Sequence, residues 1–66
     1  MKEYLISVGF WFYKDCGCRV PGQIYKHATG LEVKIIQRRQ EWELKRDGNK
    51  LDHGIFSNPE KINKYL

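Results

Sequence analysis

The sequence predicts a small α+β domain: an antiparallel meander of four to five strands with short N-terminal and C-terminal helices packed on one face. Three observations carry this expectation. Between Leu31 and Leu51 apolar and charged residues alternate with the period of two that a half-buried strand requires. Turn-forming residues divide the chain into hairpins, and the two flanking segments switch to helical spacing. A sheet with one apolar face must cover it, so a second layer follows.

The elements can be justified in chain order. Met1, Tyr4, Leu5 and Val8 fall at i, i+3, i+4 and i+7, one face of a short helix, with Gly9 as its stop. The run from Tyr4 to Val8 is also compatible with a strand. The helix is favoured because its spacing is complete and Gly9 separates it from the aromatic run that follows. Phe10 to Lys14 is the first strand. Asp15 to Gly22 holds Gly17, Pro21 and Gly22 and reads as a loop. Gln23 to His27 is the next strand, and Ala28-Thr29-Gly30 suits a three-residue hairpin with Gly30 left-handed. That hairpin sets Tyr25 opposite Val33, His27 opposite Leu31, and Lys26 opposite Glu32.

Leu31, Val33 and Ile35 alternate with Glu32 and Lys34, while Trp42 and Leu44 alternate with Glu41, Glu43 and Lys45. A connection through Gln37-Arg38-Arg39-Gln40 opposes Ile35 to Trp42 and Val33 to Leu44. The same register opposes Lys34 to Glu43 and Glu32 to Lys45, at roughly 0.2–1 kcal/mol per unlike pair. Both faces choose one register, and a one-residue slip would lose both. Asp47-Gly48 then suits a two-residue hairpin turn. It sets Leu44 against Leu51 and Trp42 against His53, but also Lys45 against Lys50 and Glu43 against Asp52. Those like charges predict a bulge or a short last strand. Asn58 as N-cap, Pro59 at the first helical position and Glu60 begin a closing helix that turns Ile62, Tyr65 and Leu66 inward.

At 66 residues the chain is expected to form one domain, of a size that often gains stability by dimerising. Its 30% charged residues and net charge of +4 fit a globular protein with a modest basic excess. Neither a signal peptide nor a membrane span is expected, which makes a cytoplasmic protein the default.

Four sets of residues are candidates for function. Cys16 and Cys18 supply two thiols where a structural zinc site wants four ligands. His27 and His53 complete such a set only on paper, since the hairpin registers put both on the inner face of the sheet. Cys16 and Cys18 are therefore weak metal candidates, and two thiols in a turn is the simpler reading. No nucleophile, base and orienter can be assembled from the spacing, no Gly-rich phosphate loop is present, and no cofactor is expected. The basic candidates are Arg38 and Arg39 at a hairpin tip, Lys14 and Arg19 near the cysteines, and Lys61 and Lys64 on the last helix. They could contact phosphates, or simply keep exposed tips and edges solvated. The aromatic run Phe10, Trp11, Phe12 and Tyr13 must show residues on both faces of its strand, and the uncovered pair could anchor a protein partner or stack bases.

Tyr4-Leu5 followed by Val8-Gly9-Phe10, the strand residues Tyr25-Lys26-His27 and the closing Ile62 to Leu66 segment together resemble the small α-β-β-β-α fold of double-stranded-RNA-binding domains and of the HicA family of toxin ribonucleases. The HicA resemblance implies a catalytic histidine after a Gly-Ser pair just before such a strand. Gly22-Gln23-Ile24 holds no histidine, so ribonuclease activity is not expected. The hairpin at Asp47-Gly48 also exceeds the three-strand pattern, and a shared fold does not confer function.

The expectation is thus a non-enzymatic protein-interaction module, a homodimer or an accessory or inhibitor protein, acting through Phe10, Trp11, Phe12 and Tyr13. The alternative is a nucleic-acid-binding module acting through Arg38, Arg39 and neighbouring cations.

Overall fold

The computed structural model describes every residue except Cys18 and Val20. Helix α1 (Lys2–Ser7) leads into strands β1 (Trp11–Cys16), β2 (Gly22–Lys26), β3 (Leu31–Ile36), β4 (Glu41–Arg46) and β5 (Asn49–Ile55), and a 3-10 helix (Pro59–Tyr65) closes the order. The strands form one antiparallel meander in sequence order, so β1 and β5 are its edges. Among the described residues no helix is long and apolar enough to cross a membrane.

The centre of the sheet follows from its own side chains. Ile35 pairs with Trp42, Val33 with Leu44, Lys34 with Glu43 and Glu32 with Lys45, the register expected from both faces. The connection tightens into a 3-10 turn over Gln37–Arg39, and Gln40 closes it in the left-handed region at φ 54°. Between β2 and β3, Tyr25 pairs with Val33 and Lys26 with Glu32, while the His27 N–H donates to the Leu31 carbonyl at 2.9 Å. At the next hairpin Asp47 and Gly48 both take positive φ, 52° and 82°, as a tight turn compatible with strand twist demands.

The β4–β5 ladder carries the bulge that its like charges foretold, between Leu44 and Lys45, but with a different register beyond it. Leu44 faces Asp52, Glu43 faces His53 and Trp42 faces Gly54. The one-residue offset removes Glu43 from Asp52 and sends His53 to the solvent-facing side, correcting the expectation that His53 points inward. Trp42 explains the choice. A Cβ at Gly54 would lie 2.6 Å from the indole Cζ2, so only glycine fits beneath the ring. The Trp42 Nε1–H then donates to the Ile55 carbonyl at 3.0 Å, satisfying its one polar atom.

Leu5 of α1 and Ile62 of the 3-10 helix belong to the same buried cluster as Phe10, Tyr25, Leu31, Val33, Ile35, Trp42 and Leu44. Tyr4 of α1 donates its hydroxyl to Asn63 Oδ1 at 2.6 Å, linking the two ends of the chain. The closing helix is 3-10 along its described length, with Pro59 at its start and no side-chain cap from Asn58. Its position is set by Asp52, which lies 3.4 Å from Lys61, 3.9 Å from Lys64 and accepts from the Tyr65 hydroxyl at 3.2 Å. Contacts to the edge strand fix this short segment more firmly than its intrinsic helicity, which is marginal at such a length.

The first strand differs from expectation at both ends. Phe10 precedes β1 and the strand runs on to Cys16, into the stretch read as loop. Phe10 is drawn into the core, 3% exposed, with its ring centroid 4.8 Å from that of His27. The backbone turns at Gly9, φ 101°, where a Cβ would meet His27 Nε2 at 2.9 Å.

Candidate functional site

Strand β1 is unlike the rest of the sheet. Its residues from Trp11 to Asp15 are all exposed, whereas the central strands alternate buried and partly buried positions. Trp11, Phe12 and Tyr13 are 49%, 50% and 50% exposed. Aromatic side chains supply large contact areas, and three in a row on a sheet edge form an apolar surface with no covering element among the described residues.

A bulge between Phe12 and Lys14 decides which way each ring points. Phe12 pairs with Tyr25, on the core side of the sheet, and the two rings meet edge-to-face at 5.7 Å. Tyr13 sits in the bulge and its ring lies under Lys26 Nζ at 4.0 Å, with Lys14 Nζ at 5.6 Å. Lys26 also reaches Glu32 at 3.6 Å, placing Tyr13 over the charged outer face. After the bulge Lys14 pairs with Ile24 and Asp15 with Gln23. The strand therefore presents Phe12 toward the core side and Trp11 and Tyr13 toward the other, with its outer backbone edge between them.

Beside Phe12 the sheet opens into a groove of about 580 Å³. Tyr25 and Ile35, both core residues, line it together with Phe12, Gln23, Gln37 and Lys2 from the start of α1. Lys2 is the one charged residue lining it among the described residues. Sequence reasoning missed Lys2, Gln23 and Gln37. The loop between β1 and β2 leaves their register unspecified, and without that register nothing brings Phe12 beside Tyr25.

Of the predicted interaction residues, Trp11, Phe12 and Tyr13 share this edge, while Phe10 belongs to the core and is withdrawn from it. The predicted basic residues do not converge. Arg38 shares a hollow of about 260 Å³ with Asp15 and Cys16, and Arg39 lines a cleft of about 200 Å³ with Glu41, Glu43 and His53. Lys61 and Lys64 face Asp52, and Lys61 also donates to the His53 carbonyl at 3.1 Å. Lys14 lies beside Tyr13, and Arg19 is exposed in the connection between β1 and β2.

The histidines are separated. His27 Nδ1 accepts from the Thr29 backbone N–H at 3.2 Å, which leaves the proton on Nε2 to donate to the Val8 carbonyl at 3.0 Å. It ties the end of α1 to the β2–β3 turn. Cys16 is disulfide-bonded; Cys18 lies outside the described residues. Among the described residues no group of three or more His, Cys, Asp or Glu side chains could hold a metal ion.

Four groups among the described residues titrate away from their ordinary ranges, the first being Glu3, held low by a hydrogen bond from its own backbone and then by the N-terminal ammonium. Asp52 is held low, first by the His53 N–H that its Oδ1 accepts at 2.8 Å and then by Lys61, against an opposing effect of burial. Tyr65 is raised by burial and by donating to Asp52. Tyr4 is raised by burial and by Glu60. All four lie on the two terminal helices or contact them, and none lines the Phe12 groove.

Comparison with protein-family models, curated proteins and solved structures finds no match to this chain.

Proposed function

We propose that the chain is a small non-enzymatic protein-interaction module that engages its partner through strand β1. The observation that carries this reading is the edge strand itself: Trp11, Phe12 and Tyr13 are consecutive and each about half exposed, whereas the other exposed large apolar residues, Ile6, Leu51, Ile55 and Leu66, are spread over α1, β5 and the closing segment. The reading takes both terminal helices to cover the opposite part of the core-side face, as the shared cluster of Leu5 and Ile62 supports. The rings then remain for a partner, and the unpaired backbone of an edge strand can take up a further strand.

The test is site-specific photo-crosslinking. A photoreactive phenylalanine analogue at position 11, 12 or 13 is expected to give one discrete protein adduct in cells, and the same analogue at exposed Leu51 of the other edge none. The adduct partner, purified, should bind the purified chain and lose that binding with Trp11→Ser and Tyr13→Ser together. Equal crosslinking from both edges, or binding unaffected by the double substitution, would overturn the reading.

A nucleic-acid reading stands second, favoured by one feature. Arg38 and Arg39 lie in the turn between β3 and β4, and Arg19 in the connection from β1 to β2, so all three leave the sheet at the same end. Under that reading the chain binds duplex or single-stranded nucleic acid at low salt, weakens steeply as salt rises, and loses affinity with Arg38→Ala and Arg39→Ala.

A further inference from the structure

We draw no further inference here: the strongest candidate, the apolar groove lined by Phe12, Tyr25 and Ile35 beside the edge strand β1, is an exposed face, and nothing in the structure shows what covers it.

Discussion

Gly54 lies directly opposite Trp42 in the β4–β5 ladder, and the Trp42 indole occupies the space that any side chain at position 54 would need. The pair fixes the register of the last strand beyond its bulge. Gly54→Ala is expected to destabilise the fold by about 1–3 kcal/mol, because the ring must shift within a closely packed core. Urea denaturation checks this; an unchanged midpoint would show that the indole can yield. Trp42→Phe, which removes the indole donor from an Ile55 carbonyl that keeps the Asn58 N–H, should cost about 0.5–1.5 kcal/mol for the lost hydrogen bond in addition to the lost packing.

The same relationship marks where sequence reasoning stopped. The β2–β3 and β3–β4 registers were legible because apolar pairs and unlike charges agreed on one alignment, as with Val33–Leu44 and Lys34–Glu43. The need for a bulge after Asp47-Gly48 was legible from like charges. Its placement was not, because a glycine that accommodates an indole looks in sequence like any glycine near a strand end. The candidate site was half legible. The aromatic run stood out, but burial of Phe10 depends on the turn at Gly9 packing against His27, a contact between residues far apart in sequence.

Asp52 makes stability depend on pH in a defined direction. Its carboxyl is held below the ordinary carboxylate range in the folded chain, so its contribution is present above the unfolded value, about 3.9, and is lost as pH falls through the folded one. The difference in stability between the parent and Asp52→Asn is therefore expected to be constant near neutrality and to shrink as the solution is acidified below about pH 4. Thermal melts at a series of pH values measure it. A difference that grows on acidification would contradict the linkage of β5 to Lys61, Lys64 and Tyr65.

Tyr4 and Asn63 connect the two ends of the chain through one hydrogen bond of 2.6 Å. Tyr4→Phe and Asn63→Ala should each destabilise by about 0.5–1.5 kcal/mol, and their double substitution by less than the sum. Full additivity in that cycle would mean the hydroxyl contact contributes nothing.

Gly9 combines a φ of 101° with close approach to His27. Gly9→Ala is expected to cost more than about 1 kcal/mol through backbone strain and displacement of the imidazole. The His27 proton resonances should move with it, since the Nε2–H bond to the Val8 carbonyl is then disturbed.

The central claim is that β1 carries aromatic residues for a partner and not for the fold. The most direct measurement compares the stability of the parent with that of Trp11→Ser and Tyr13→Ser together, in the same samples used to score the β1 crosslinked complex. The account expects the denaturation midpoint to stay within about 0.5 kcal/mol of the parent, as for exposed substitutions, while the complex disappears. A chain that unfolds with these substitutions, or a complex that survives them, would contradict it.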